Sequence, residues 1–181
     1  MRSLTADRSL PLVHASTAVH VLPPARRYVL RGGVDVRSAA ERALGFSVPA
    51  APCRATLDGE QAALWLGPDE WLLIGPEAPA AGPESALRAA LAPLAHSLVD
   101  VSHRQCALSV AGPQAATLLA AGCPLDLDAS AFPVGMCTRT MLAKAEIVLW
   151  RTGAQLFRLE VWRSFVAYVS LFLGEAARGM I

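Results

Sequence analysis

Apolar and polar positions fall into a regular order of short elements from Arg26 onward. Tyr28–Leu30 is a short strand signal stopped by Gly32 and Gly33, and Val36, Ala39, Ala40, Ala43 and Leu44 recur at helical spacing until Gly45. Strand-like runs follow at Cys53–Leu57, Ala62–Leu66 and Trp71–Ile74, the first two split by Asp58-Gly59, a good turn dipeptide. Residues 76–83, rich in Pro, Ala and Gly, read as a loop, and Glu84–Leu94 reads as an Ala/Leu helix that can begin at Pro83. Leu98–Ser102 and Ala107–Val110 are again strand-like. Gly112-Pro113 leads into a helix over Gln114–Ala121, closed by Gly122. Strands at Thr138–Leu142, Glu146–Trp150 and Phe157–Val161 precede a final helix from about Ser164 to Arg178.

The second half repeats the first. Cys53–Leu57 (CRATL) lies beside Cys137–Met141 (CTRTM), Ala63–Trp65 beside Val148–Trp150, and Trp71–Leu73 near Phe157–Leu159. The expected fold is α+β: a duplicated strand-helix-strand-strand-strand-helix unit, with antiparallel sheets and helices on one face. The first repeat spans 26–96 and the second 97–181. Residues 1–25 show no clean period, end in Pro23-Pro24, and read as a flexible N-terminal arm.

The final helix departs from the ordinary amphipathic pattern. Phe165, Val166, Ala167, Tyr168, Val169, Leu171, Phe172 and Leu173 cover nearly every direction around its axis. A helix apolar all round is buried on every side. It is either wholly internal to this chain or lies partly against another subunit. With the tryptophan-bearing strands, this makes Trp65, Trp71, Trp162, Phe165, Tyr168 and Phe172 the candidate interface residues.

Composition sharpens this reading. Of 181 residues, 54% are hydrophobic and 17% charged, so the core can be large and apolar surface is left over. The net charge of +1 supplies no field for a nucleic-acid partner. No run of about 20 apolar residues is present to span a membrane. Cys53, Cys106, Cys123 and Cys137 form no C-x-x-C pair, and residues 2–22 make a poor signal-peptide core, so the reducing cytoplasm is the expected compartment.

Several stretches resemble chemistry without completing it. Asp100, Ser102 and His103 bring a carboxylate, a hydroxyl and an imidazole together, but alternation along a strand points His103 away from the other two. A strand end with a turn or contact role is the expected use. His103-x-x-Cys106 offers two metal ligands where a structural zinc site needs four. Asp126 and Asp128 lack a glycine-centred calcium loop and read as turn or N-cap residues. Gly32-Gly33 and Gly112-Pro113 belong to no phosphate-binding pattern. Catalytic, cofactor-binding and metal residues are accordingly expected to be none on this chain.

A run of motifs does carry a resemblance. Leu66–Leu73 (LGPDEWLL), Val99–Gln105 (VDVSHRQ), Gly122–Leu127 (GCPLDL), Phe132–Gly135 (FPVG), Thr138–Thr140 (TRT), Lys144–Arg151 (KAEIVLWR) and Phe157–Ser164 (FRLEVWRS) fall in order. Together they resemble the gamma subunits of bacterial heterotetrameric sarcosine oxidases, over about Leu22 to Arg178. That family is similar to the folate-binding domains of the glycine-cleavage T-protein, an aminomethyltransferase. The resemblance implies a folate-binding-domain-like fold and a complex with alpha, beta and delta subunits. In that complex FAD, FMN, NAD and tetrahydrofolate are expected on the partners and no cofactor on this chain. It also implies oxidative demethylation of sarcosine to glycine with hydrogen peroxide, the one-carbon unit passing to tetrahydrofolate or leaving as formaldehyde. The T-protein has Gly-Gly and then a catalytic aspartate between two strands of this region. Here the matching stretch, Ala143–Val148, has neither, and Glu146 is the nearby acid. A free-standing folate-binding protein or aminomethyltransferase-like enzyme is the alternative, with Trp65, Trp71, Trp150 and Trp162 as possible pocket walls.

Overall fold

The computed structural model describes residues 17–77 and 83–180. In chain order the elements are β1 (Ala18–Val21), β2 (Ala25–Gly32), α1 (Val34–Leu44), β3 (Ala55–Asp58), β4 (Gln61–Gly67), β5 (Glu70–Pro76) and α2 (Pro83–Leu91). Next come β6 (His96–Asp100), β7 (Gln105–Ala111), α3 (Ala115–Ala120), β8 (Cys137–Leu142), β9 (Ala145–Gly153) and β10 (Leu156–Trp162). A 3-10 turn over Arg163–Phe165 leads into α4 (Val166–Arg178). The chain divides into two compact units: Pro24–Arg104 with Gly135–Thr138, and a second built on Gln105–Val134, the chain from Arg139, and the strand before Pro23.

In the first unit the sheet order is β3-β4-β5-β2-β6, antiparallel throughout. Alternation places Tyr28, Leu30, Ala63, Trp71 and Leu73 on one face, where they form a buried core with Val36, Ala39 and Ala40 of α1 and Leu87 and Leu91 of α2. Both helices of this unit therefore cover the same sheet face. Gly45 closes α1 at φ 78° and donates its N–H to the Glu41 carbonyl, a left-handed cap that glycine adopts without a side-chain clash. Gly135–Thr138 joins this unit through the Ala55 N–H to Gly135 carbonyl and Cys137 N–H to Cys53 carbonyl bonds.

The second unit repeats that order as β8-β9-β10-β7-β1. Leu108, Val110, Ile147, Leu149, Phe157, Leu159 and Val161 share one face by register and are buried. Phe132 packs against Phe157 with ring centroids 6.5 Å apart. The duplication is thus visible in the sheet order itself.

Three expectations need correction. Leu98–Ser102, expected in a second repeat from residue 97, belongs with the first sheet, where β6 pairs with β2, Leu30 opposite Leu98. The contact division falls after Arg104, not after residue 96. The arm expected over 1–25 contains β1, which pairs with β7, Ala18 opposite Ala111 and Val21 opposite Leu108; residues 1–16 lie outside the described residues. A strand edge accepts whichever extended segment the chain lays beside it, and four or five residues carry too little alternation to name that partner.

A further correction is one of register. Trp65 faces Trp71 across β4 and β5, whereas Phe157, in the place of Trp71, faces Arg151. The counterpart of Trp65 is therefore Arg151, not Trp150. With a period of two, that single step moves Trp150 to the opposite sheet face.

Candidate surface on the last helix and its turn

The final helix is not buried on all sides. Val169, Leu173 and Ala177, at i, i+4 and i+8, form its buried stripe. Away from that stripe α4 exposes Tyr168 at 37% and Leu171 at 70%, and in its lead-in Phe165 is 37% and Trp162 42% exposed. Phe165 and Tyr168 meet edge to face at 6.4 Å.

The helix also covers the turn between β8 and β9. The Tyr168 hydroxyl accepts the Lys144 N–H at 3.3 Å. Ala143, at φ 51°, sits in the left-handed region and donates its N–H to the Gly122 carbonyl at 2.8 Å. Phe172, half-buried, lies so close to Gly122 that a Cβ there would stand 2.5 Å from its Cζ. Glycine is thus the residue that lets the β8–β9 turn and α4 approach. Glu146, the acid nearest this turn in sequence, is exposed on β9.

The other candidate interface residues are placed differently. Trp71 is only 2% exposed and its indole N–H donates to the Pro49 carbonyl at 2.7 Å, so it is core and has no surface to offer a partner. Its parity on β5 put it on the helix-covered face, a fact hidden until the register was known. Trp65 is half-buried against the first unit's core. The sequence reading missed Leu171 as the most exposed residue of the patch. It also missed the exposed cations Lys144 and Arg163 beside it.

The polar constellations resolve into local structure. Asp100 accepts the Ser102 N–H at 2.8 Å, and the Ser102 hydroxyl accepts the Arg27 N–H at 2.9 Å. Ser102 is thereby engaged with backbone rather than with His103. Burial opposes ionisation of Asp100, but hydrogen bonds from Ser102, helped by His103 and Arg26, hold its pKa below the ordinary carboxylate value. Asp126 accepts the Asp128 N–H at 2.9 Å, and Asp128 accepts the N–H and hydroxyl of Ser130 at 2.9 and 2.6 Å. These are successive Asx turns. Among the described residues no group of three or more His, Cys, Asp or Glu side chains is placed to hold a metal ion. Burial pushes the Cys137 thiol up to about 12, which keeps it protonated and unreactive at neutral pH.

Arg151 is the unforeseen organiser of the second unit. It is 6% exposed, and its guanidinium donates to the Leu127, Phe132 and Ala154 carbonyls at 3.2, 2.9 and 2.6 Å. It also lies over the Phe157 ring at 5.0 Å. One side chain on β9 thus pins the loop between α3 and β8.

Comparison with known proteins fits this architecture. Residues 33–179 match the family model described as SoxG, the sarcosine oxidase gamma subunit family. Sarcosine oxidase subunit gamma of Corynebacterium sp. (strain U-96) is 36% identical over 145 residues, covering 80% of this chain and 70% of that protein. The subunit gamma of an Arthrobacter sp. is 43% identical over 94 residues, 52% of this chain and 45% of that protein. A chain in the structure of heterotetrameric sarcosine oxidase from Corynebacterium sp. U-96, in complex with pyrrole 2-carboxylate, superposes with a TM-score of 0.84 at 32% identity. That match covers 90% of this chain and 84% of that one. The glycine cleavage system aminomethyltransferase T from Bartonella henselae shares the fold at a TM-score of 0.65 and 14% identity, over 89% of this chain and 46% of that one. With 33–179 matched to one family model and a fold shared nearly end to end, the chain belongs to the sarcosine oxidase gamma subunit family.

Proposed function

We propose that this chain is the gamma subunit of a cytoplasmic heterotetrameric sarcosine oxidase and works there by assembly rather than by chemistry of its own. The observation that carries this reading is the superposition on a chain of a heterotetrameric sarcosine oxidase over 90% of the sequence. The partners are the alpha, beta and delta subunits. These hold FAD, FMN and NAD, and tetrahydrofolate receives the one-carbon unit on the partners. The complex oxidises the N-methyl group of sarcosine, giving glycine and hydrogen peroxide. Trp65, Trp162, Phe165, Tyr168 and Phe172 are the residues proposed to meet partners, Trp71 being buried.

The polar groups support an assembly role. Ser102, Asp126 and Asp128 are spent on turns and backbone caps. Trp71 and Trp150, candidate walls of a folate pocket, are 2% and 5% exposed and lie in the sheets. The test is co-expression with the alpha, beta and delta subunits. The expected result is stoichiometric co-purification in a flavin-containing complex that turns over sarcosine with release of hydrogen peroxide. A stable monomer with no affinity for those subunits would overturn the reading. Calorimetry of the isolated chain with tetrahydrofolate is expected to show no heat at high micromolar ligand.

A further inference from the structure

The internal duplication supplies a control for the surface of α4. In the two units α2 and α4 follow the corresponding strands β5 and β10. Each buries a stripe of small or branched residues, Leu87 and Leu91 on α2 and Val169, Leu173 and Ala177 on α4. On α2 the other positions after Pro83 are Glu84, Ser85, Ala86, Arg88, Ala89 and Ala90, polar or small. By contrast α4 exposes Tyr168 and Leu171, and its lead-in exposes Trp162 and Phe165. The fold is thus completed on α2 without large apolar residues on the outer side, and it does not demand them on α4. Large apolar residues exposed along one stretch, at the end of a strand, in the turn after it and on the helix that follows, are what a protein contact selects.

Charge narrows the occupant. Lys144 is exposed at the turn whose N–H meets Tyr168, and Arg163 is exposed in the turn between Trp162 and Phe165. Neither joins an ion pair among the described residues. Glu175, the acid on the outer side of α4, is engaged by Arg178. The patch is therefore apolar at its centre and cationic at its edge, the arrangement of an interface core with a polar rim.

Resting on the gamma-subunit reading, we propose that Trp162, Phe165, Tyr168 and Leu171, edged by Lys144 and Arg163, form the docking face for a partner subunit that presents an apolar hollow rimmed by carboxylates. Leu171 enters the hollow, and the two cations meet the carboxylates and set the orientation.

The experiment uses the full chain and the purified assembly of the other subunits, with affinity read by titration at two salt concentrations. Leu171→Asp is expected to weaken binding by about tenfold or more without lowering the melting temperature, because Leu171 lies on the exposed side of α4. The double variant Lys144→Glu, Arg163→Glu is expected to weaken binding and flatten its salt dependence. Leu57→Asp, a 63% exposed apolar position on β3, is the control and should bind as the parent does. If Leu171→Asp binds as tightly as the parent, the face is not the docking site. If the parent self-associates through this face and Leu171→Asp makes it monomeric with unchanged partner affinity, the occupant is a second copy and the proposal falls. If the parent itself fails to bind the other subunits, the gamma-subunit reading falls and takes this proposal with it. The first two outcomes leave that reading intact.

Discussion

At the scale of single residues, Arg151 shows how much one side chain can organise. Three loop carbonyls and one aromatic face converge on a guanidinium with almost no solvent contact. Arg151→Met keeps much of the volume but leaves those carbonyls without their donor, and buried acceptors stripped of a partner are costly. A loss of about 2–4 kcal/mol is expected, read as a lower urea midpoint, and parent-like stability would refute the assigned role. Nothing in the sequence pointed here. Arg151 follows an apolar strand and looks like an ordinary exposed charge at its end. Gly122 was legible as a helix stop, yet its closer task is to admit Phe172, which lies far along the chain. Trp71 was legible as strand and misread as surface, because the face a strand residue occupies depends on what the sheet packs against.

At the scale of elements, α2 is tied to β2 by a polar clasp. The Tyr28 hydroxyl and the Arg26 guanidinium both donate to Glu84 Oε2, the latter at 2.8 Å, and Arg88 donates to Oε1 at 2.9 Å. The Tyr28 hydrogen bond first, then that from Arg88, holds the Glu84 carboxyl below its ordinary 4.5, against the opposing effect of burial. A carboxyl depressed in the folded state contributes stability above its unfolded pKa, and that contribution is lost as pH falls through the folded value. Stability should therefore decline as the pH drops below about 4.5, and Glu84→Gln should show a smaller acid-induced decline. Urea midpoints measured across that range test this; identical slopes for parent and variant would refute it. Periods of 3.6 and 2 located, among the described residues, all four helices and nine of the ten strands in sequence, with ends displaced by a few residues. β1 escaped because His20 and the flanking Thr17 and Pro23 blur a four-residue strand. β6 was read as a strand but placed in the wrong half, since its partner β2 lies far upstream.

At the scale of the whole molecule, the order β3-β4-β5-β2-β6 is matched by β8-β9-β10-β7-β1, with the edge strand taken from after the unit in one case and from before it in the other. The strand at 18–21 is therefore part of a sheet whose other strands lie beyond residue 104. Deleting the chain through Leu22 should uncover the edge of β7 and remove Val19, which is 1% exposed. Burial of a valine alone contributes about 1.5–3 kcal/mol, and an open edge invites pairing between molecules. The truncated chain is expected to melt at lower temperature and to aggregate. A truncation as stable and monomeric as the parent would show that β1 is dispensable.

The sequence by itself determined the element types, the duplication and the family, because hydrophobic period, turn residues and ordered motifs are local properties. Only the tertiary structure decided which strand closes each sheet, which tryptophan is core, and which side of the last helix remains open. Those depend on pairing and packing between residues far apart in the chain, and a shift of one position reverses the face of every side chain in a strand.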